Sequence, residues 1–275
     1  DMNEVEAIYG QTDSGMTIIE GNLFLNGQKP IQERTSYGLG EILHAALDND
    51  AKHIIISLGG IGSFDGGAGM LQALGAKFYD DEANLVDVTK GAHVIKYIRR
   101  LDFSGIHPKL AEANIQVMSD FSSRLYGKQS EIMQMYPMLG MTQNEAAEID
   151  NLVWYFSELF KSELRVTIGP IERGGAGGGI AAVLKGLYQA EILTSHELVD
   201  QITHLEDLVQ QADLIIFGEG LNERDQLLET TTLRIADLTE KHHKTSIAIC
   251  ATDDKFDLFE GKGVTAMFNT FIDMP

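Results

Sequence analysis

Cysteine, proline and basic residues are scarce in this chain, and each shortage argues against a class of protein. The single cysteine, Cys250, has no second thiol with which to form an internal disulfide. Only 5 of the 275 residues are proline, which argues against long disordered linkers. The 21 basic residues are outnumbered by 41 acidic ones, and the net charge of −20 argues against nucleic acids and anionic membrane surfaces as partners.

Long apolar runs are also missing. No run approaches the roughly 18 residues that a membrane-spanning helix needs. The opening segment, DMNEVEAIYG, has neither the basic region nor the apolar region of a secretory signal. Cys250 lies in the apolar stretch SIAIC, which predicts a buried strand. We therefore expect a cytoplasmic protein with one large or two modest α/β domains.

Glycine is abundant, and its densest run lies between two regular elements. The β-branched stretch Ile54–Ile56 predicts a buried strand, and six glycines follow before a helical pattern begins at Met70. This arrangement favours an anion site, because bare backbone amides at a helix N-terminus can approach a phosphate. Asp65, inside the loop, would hold Mg²⁺, accept a proton from an attacking hydroxyl, or cap the helix.

A second glycine run, GGAGGG from Gly174, precedes the helical pattern IAAVLKGL. Two interpretations stay open for it. Its amides suit a phosphate or a carboxylate at a helix N-terminus, and the neighbouring Arg173 would add positive charge. Alternatively, the glycines let a helix pack closely on a sheet, and Arg173 is a solvated side chain.

Two further acids lie at the ends of predicted buried strands. Asp120 comes just after Ile115–Met118, and Glu219 comes just after Leu214–Phe217. Because α/β sheets place ligands at the carboxyl ends of parallel strands, both acids are candidate metal ligands or bases. A turn or capping role is the alternative for each.

The remaining pattern predicts several ordinary elements. Val5–Leu25 alternates weakly and indicates hairpin-like strands. Tyr37–Gly40 is interpreted as a turn before a helix that ends near Asp48. Thr142 and Glu145 have the spacing of a capping box ahead of a long amphipathic helix.

The segment GGIGSFDGGAGMLQALGAKF, which contains Asp65, resembles the signature GGSATNDGGAGMLQALGARF of the bacterial type I glycerate kinase family. From Asp65 to Phe78 the two match almost letter for letter. The stretch ADLIIFGEG around Glu219 and the glycine run from Gly174 are similar to family segments as well. The resemblance extends from about Val5 to Phe268.

The resemblance implies an α/β fold with largely parallel sheets flanked by helices, in two α/β lobes of which one is incomplete. We expect residues 1–200 to form a central domain with the glycine loops, and residues 201–275 to form part of a second, Rossmann-like domain. The family's N-terminal portion and C-terminal helix have no counterpart here, and the chain begins with Asp1. We therefore expect a processed fragment or a short natural relative.

The resemblance also implies an activity, in which Mg²⁺-bound ATP gives its γ-phosphoryl group to glycerate or a similar small hydroxy acid. Asp65, Asp120 and Glu219 would be the catalytic residues, and Asp120 and Glu219 would also hold the metal. The nucleotide phosphates would contact Gly59, Gly60, Ser63, Gly66, Gly67, Gly174, Gly175, Gly177 and Gly178.

Several departures from the family pattern keep other functions open. Ile61, Phe64, Leu139 and Leu221 stand where the family has polar or charged residues, and two family lysines have no counterpart. A non-catalytic ligand-binding or regulatory relative, a pseudokinase, is therefore the alternative. A third possibility is that a missing segment or a partner chain completes the site.

Overall fold

The chain folds as two compact α/β units, Asp1–Ile192 and Leu193–Pro275. The computed structural model describes residues 6–21, 23, 29–58, 62–220, 231–251 and 253–270. The domain boundary predicted between residues 200 and 201 falls inside a helix, Ser195–Thr203. Mostly parallel sheets flanked by helices confirm the predicted α/β class.

The first unit is built on a sheet with the strand order β1-β2-β3-β6-β7. β1 pairs with β2 in antiparallel fashion, which confirms the hairpin expected near the start of the chain. β2, β3 and β6 run parallel to one another. The strands are β1 Gly10–Gln11, β2 Met16–Glu20, β3 His53–Ser57, β6 Asn114–Met118 and β7 Glu191–Leu193.

Helices cover this sheet and account for its apolar composition. The isoleucines of β3, Ile54–Ile56, are almost fully buried, as expected for a central parallel strand with both faces covered. The helices are α1 Tyr37–Asp48, α2 Ala68–Ala73, α3 Glu131–Met135, α4 Gln143–Leu159 and α5 Ile180–Tyr188. The capping box at the start of α4 is confirmed, because the side chains of Thr142 and Glu145 each accept the other residue's backbone N–H.

The turn predicted at Tyr37–Gly40 is wrong, since these residues form the first turn of α1. Gly40 has a packing role there. A Cβ atom on Gly40 would lie 2.5 Å from the carbonyl oxygen of Met70, so the absence of a side chain lets α1 approach α2. The sequence pattern showed the glycines but not this helix-on-helix contact.

A small antiparallel pair lies beside the main sheet of the first unit. β4, Lys77–Tyr79, pairs with β5, Arg100–Asp102. The rings of Phe78 and Phe156 meet edge to face, with centroids 5.8 Å apart, and thereby fix β4 against α4.

The second unit has a parallel sheet with the order β10-β9-β8. Its strands are β8 Leu214–Glu219, β9 Thr245–Cys250 and β10 Ala266–Asn269. Its helices are α6 Ser195–Thr203, α7 Leu205–Gln211 and α8 Thr231–Lys241. Cys250 is fully buried in β9, which confirms the predicted core position of the cysteine.

One face of this second sheet carries exposed apolar side chains when only the described residues are considered. Leu214, Ile216, Ile249 and Phe268 all expose more than a third of their surface, and Ile216 exposes 60%.

None of the helices within the described ranges is both long enough and apolar enough to cross a membrane.

Charged side chains join the helices of the second unit. The Glu206 carboxylate, at the start of α7, lies 2.5 Å from the Lys241 ammonium and 2.7 Å from the His242 imidazole. Arg234 of α8 lies 3.1 Å from Asp200 of α6. The hydrogen bonds from Lys241 and then His242 lower the pKa of Glu206 to about 2.

Replacing Glu206 with Gln should lower the melting temperature at neutral pH, because it removes the carboxylate that accepts hydrogen bonds from Lys241 and His242. The folded pKa of about 2 lies below the ordinary 4.5, so the stabilisation is present above pH 4.5 and is lost as the pH falls toward 2. Thermal melts at a series of pH values test this. Asp207→Asn, in the same helical turn and exposed, is the control. A difference in melting temperature between wild type and Glu206→Gln that stays the same at every pH would contradict the prediction.

Candidate active site at the carboxyl edge of the first sheet

The carboxyl ends of β3 and β6 lie side by side. Ser57 at the end of β3 is the partner of Met118 at the end of β6, and Leu58 N–H donates to the Met118 carbonyl oxygen at 2.9 Å. The chain that follows β3 carries Ser63 and Asp65. The chain that follows β6 carries Asp120, which is half-buried. The structure therefore places the first glycine loop and the Asp120 turn at one edge of the sheet; Gly59 and Gly60 lie outside the described residues.

Asp65 is completely buried, and both of its oxygens are held by protein donors. Its Oδ2 accepts hydrogen bonds from Ser36 N–H at 2.8 Å, Ser36 Oγ at 2.9 Å and Gly69 N–H at 3.0 Å. Thr35 Oγ1 adds a longer contact to Oδ2 at 3.3 Å, and Gly67 N–H donates to Oδ1 at 3.0 Å. A carboxylate has about four lone-pair sites, two on each oxygen, so these donors fill Oδ2, whereas Oδ1 has a single donor among the described residues.

These contacts give Asp65 a positioning role. Burial raises the pKa of Asp65, and the hydrogen bonds from Ser36, Gly69 and Gly67 oppose that rise. Ser36 Oγ in turn accepts from Met70 N–H at 2.9 Å, so one small network joins the first turns of α1 and α2. Among the interpretations left open by the sequence, this geometry supports the capping one. The catalytic role predicted for Asp65 stays a prediction.

The two glycine loops contact each other directly. Gly66 N–H donates to the Gly178 carbonyl oxygen at 3.0 Å. A Cβ atom on Gly178 would lie 1.9 Å from the Ser63 carbonyl oxygen, and one on Gly179 would lie 2.8 Å from the Gly66 Cα. Gly177 and Gly178 also have positive φ values, both 64°. The close approach and the backbone conformation together require glycine here.

Several backbone N–H groups of the second loop already donate hydrogen bonds to acceptors within the protein. Gly174 N–H donates to the Ile171 carbonyl oxygen, and Gly175 N–H donates to that of Ser123. The glycines Gly174, Gly175, Gly177 and Gly178 are all buried. This geometry supports the packing interpretation of the loop, and the phosphate contacts predicted for Gly66, Gly67 and these four glycines stay predictions.

Glu131 is a buried acid that the sequence analysis missed. It exposes 3% of its surface, and its Oε2 accepts from Gly178 N–H at 3.2 Å. A negative side chain of the protein thus occupies an amide that a phosphate would otherwise use. Ser130, the N-cap of α3, and Glu131 after it are typical of a helix start, but that pattern does not indicate which loop the carboxylate reaches.

A polar hollow of about 260 Å³ opens beside the second loop. Arg124 and Arg173 line it together with a single acid, Glu172, so its fixed charge is positive on a chain that is strongly negative overall. Ser123 also lines it; its Oγ is buried and has no hydrogen-bond partner among the described residues. This combination suits a small anion, since guanidinium groups bind carboxylates and phosphates well.

The apolar departures Phe64 and Leu139 pack inside the protein. Phe64 exposes only 2% of its surface and belongs to a cluster against which Leu139 also packs. The other buried members of this cluster are Ile31, Ile132, Ala146 and Ile149. Burial therefore leaves Phe64 almost no surface that a ligand could contact.

Glu219 belongs to the second unit, where it ends β8. It is half-buried and accepts a short hydrogen bond from the Thr232 hydroxyl. Burial, with a contribution from the charge of Glu219, raises the pKa of the Cys250 thiol. The catalytic and metal-binding roles predicted for Glu219 stay predictions.

Replacing Asp65 with Asn should cost about 2–4 kcal/mol of unfolding free energy, because the amide group turns a donor toward backbone N–H groups. Urea unfolding measures the loss. The control, Asp81→Asn, changes an exposed acid and should stay within about 0.5 kcal/mol of wild type. Equal stabilities for the two variants would show that the Asp65 network is not a structural anchor.

A graded series of glycine-to-alanine variants tests the loop contact. Gly140, Gly177 and Gly178 have φ values of 68°, 64° and 64°, so the backbone strain of the substitution is nearly the same. Added Cβ atoms meet nothing near Gly140, the flexible Leu58 side chain at 3.0 Å near Gly177, and backbone near Gly178.

We expect Gly140→Ala to cost about 1 kcal/mol and Gly178→Ala about 3 kcal/mol or more, with Gly177→Ala between them. Urea unfolding gives the order. If Gly178→Ala does not fold, the difference in unfolding free energy between Gly177→Ala and Gly140→Ala still tests the loop contact. Equal losses at Gly140 and Gly177 would contradict close packing of the loop.

Known proteins match nearly the whole of this chain. The model of the glycerate kinase family matches residues 2–274. Glycerate 2-kinase from Escherichia coli (strain K12) is 30% identical over 274 residues, which cover 97% of this chain and 71% of that protein. Glycerate kinase from Halalkalibacterium halodurans is 30% identical, with 87% of this chain and 60% of the relative covered. Glycerate kinase from Bacillus subtilis (strain 168) is 28% identical, with 90% and 66% covered.

A solved structure is similar as well. The crystal structure of a protein assigned as glycerate kinase 2 from Salmonella typhimurium LT2 superposes with a TM-score of 0.81 at 29% identity. The match covers 96% of this chain and 71% of that one, so the chain spans between 60% and 71% of the lengths of these relatives. The match of the family model over nearly the whole sequence shows that this chain belongs to the glycerate kinase family.

Proposed function

We propose that this protein is an ATP-dependent kinase that transfers the γ-phosphoryl group to a hydroxyl of glycerate or a similar small hydroxy acid. The observation that carries the proposal is the family match over residues 2–274. The sheet edge supports it, because α/β proteins bind ligands at the carboxyl ends of parallel strands. There, β3 and β6 deliver the first glycine loop and Asp120.

Asp120 and Glu219 are the residues that would hold Mg²⁺. Both are half-buried acids at the carboxyl ends of parallel strands, and carboxylate oxygens suit this hard cation. When bound, the metal would neutralise part of the charge on the transferring phosphoryl group. Asp65 fits this role less well, because it is fully buried and protein donors already hold both of its oxygens, Oδ2 most heavily. Its contribution is to hold the loop and two helix starts in place.

The hollow beside the second glycine loop is the proposed site for the carboxylate of the acid substrate. Its volume of about 260 Å³ lies below the range of roughly 300–1,000 Å³ typical of larger ligands, so it suits a three-carbon acid better than a nucleotide. Arg124 and Arg173 supply the positive charge, and Ser123 Oγ supplies a hydroxyl that has no protein partner among the described residues. Orientation of the acid by its carboxylate leaves its hydroxyl groups directed away from the arginines.

A non-catalytic relative is the second candidate, and the apolar cluster around Phe64 favours it. Phe64 stands in the first glycine loop and is buried with Ile31 and Ile132, so apolar packing occupies part of the region behind that loop. Glu131 likewise occupies an amide of the second loop. Such a protein would still bind the acid in the arginine-lined hollow but would not release ADP.

A coupled assay for ADP release with glycerate, ATP and Mg²⁺ tests the proposal. We expect turnover by the wild type and a loss of about 100-fold or more in kcat for Asp120→Asn, because removal of a metal ligand affects the transition state. Arg124→Gln should raise the KM for the acid with little change in that for ATP. Lys128→Gln, an exposed cation outside the hollow, is the matched control for charge.

Other results would change the assignment. No ADP release, combined with thermal stabilisation of the protein by glycerate, would favour the non-catalytic relative. Turnover that appears only after a second chain is added would favour a site completed by a partner. Full activity of Asp120→Asn would remove Asp120 from the metal site.

A further inference from the structure

Two histidines and an aspartate meet at the end of α1, away from the candidate active site. His44 and Asp48 are four residues apart on α1, and His107 precedes the short 3₁₀ helix Pro108–Ala111. His44 Nδ1 lies 3.2 Å from Asp48 Oδ2, and His107 Nε2 lies 3.1 Å from Asp48 Oδ1. We call these three residues the His–Asp cluster.

The spacing of the cluster suits a small transition-metal ion. One ligand atom from each residue can be chosen so that all three lie within 4.8 Å of one another. Zinc binds imidazole nitrogen at about 2.0–2.1 Å and carboxylate oxygen at about 2.0–2.2 Å, so neighbouring ligand atoms of a tetrahedral site are about 3.3 Å apart. The separations of 3.2 and 3.1 Å are close to that value, although they run to different oxygens of Asp48, so the carboxylate would turn slightly to bind with one oxygen. Two imidazoles and a carboxylate also form a known ligand set for zinc, which leaves a fourth position for water.

The electrostatic surroundings favour a cation at this point. Asp48 is the last residue of α1, where the free carbonyl groups make the potential negative, and no basic residue lies in that last turn. A carboxylate is unfavourable there unless a positive charge compensates it. The nearby Lys109 ammonium is engaged elsewhere, because it donates to Asp50 at 2.8 Å and to the Leu47 carbonyl oxygen at 3.2 Å. The net charge of −20 on the whole chain adds to the attraction for a cation.

The cluster is also partly preorganised. The His107 side chain exposes 8% of its surface, and its ring meets that of His44 edge to face with centroids 4.7 Å apart. The second nitrogen of His107, Nδ1, is buried and has no hydrogen-bond partner among the described residues. Imidazole ligands usually gain affinity from a group that holds the second nitrogen, so we expect weaker binding than at a closed structural zinc site.

We propose that His44, Asp48 and His107 bind a divalent transition-metal ion of the zinc class. The site lies near the amino end of β3, since α1 ends at Asp48 and β3 begins at His53, whereas the candidate active site lies at the carboxyl end of that strand. The metal would not take part in the reaction. It would join α1 to a segment 59 residues further along the chain and stabilise the folded unit.

Titration calorimetry on the full, chelator-treated chain tests the proposal with ZnCl₂ as the probe. We expect one zinc ion per chain and a rise in melting temperature that grows with zinc concentration. His44→Gln and Asp48→Asn should each weaken zinc binding at least about tenfold. Both residues are at least partly exposed, so these variants should fold. His243→Asn, an exposed histidine outside the cluster whose positive φ suits Asn, is the matched control and should bind zinc like the wild type.

Selectivity provides a second readout. An excess of Mg²⁺ should not displace zinc, because imidazole ligands prefer transition metals to hard cations. No zinc binding, unchanged affinity in both cluster variants, or displacement by Mg²⁺ would each overturn the proposal. If the melting temperature depends on pH but does not change with zinc, the three residues form a hydrogen-bonded group and not a metal site.

Discussion

The buried carboxylate of Asp65 fixes the arrangement of the first unit near the point where its central strand ends. Asp65 accepts hydrogen bonds from the first turns of two helices and from its own loop, and no solvent reaches it. The backbone N–H groups at a helix start have no partners within the helix, and a side-chain acceptor can satisfy them. Here one carboxylate serves α1 and α2 together. Together with the close contact of Gly40 with Met70, this carboxylate places α1 relative to the first glycine loop.

The glycine loops follow from that anchor. With the first loop fixed, the second can approach it only without side chains, and Gly178 stands where a Cβ atom would overlap the Ser63 carbonyl oxygen. Glycine-rich loops are usually taken as phosphate sites, but the same composition also permits close contact between two backbones. In this chain the two loops are in direct contact, and a hollow lined by Arg124 and Arg173 opens beside the second of them.

The sequence predicted local features well and contacts between distant residues poorly. The Thr142 capping box, the β3 strand and the buried Cys250 follow from near neighbours in the chain, and the structure confirms them. Tyr37–Gly40 was misjudged because glycine at a helix start is locally unfavourable, and only the tertiary contact with Met70 explains it.

Candidate site residues were harder to predict for the same reason. The pairing of β3 with β6 puts Asp120 and the first loop at the same edge of the sheet, and the roles predicted for them stay predictions. Glu131 and the hollow were missed, because nothing near Glu131 in sequence indicates that its carboxylate reaches Gly178. The family resemblance identified Asp65 as important, but only the three-dimensional contacts separate an anchoring acid from one that is available to a ligand.

The apolar side chains that the described part of the second sheet exposes have a consequence for the behaviour of the protein in concentrated solution. Parallel sheets are normally covered on both sides, yet Ile216 and Phe268 present apolar surface here. At low ionic strength, repulsion between molecules that each carry a charge of −20 keeps these surfaces apart. Salt shortens the reach of that repulsion, from about 10 Å at 0.1 M to about 3 Å at 1 M, without weakening apolar attraction. Colloidal stability of this chain should therefore decrease as salt is added, the reverse of ordinary salting-in.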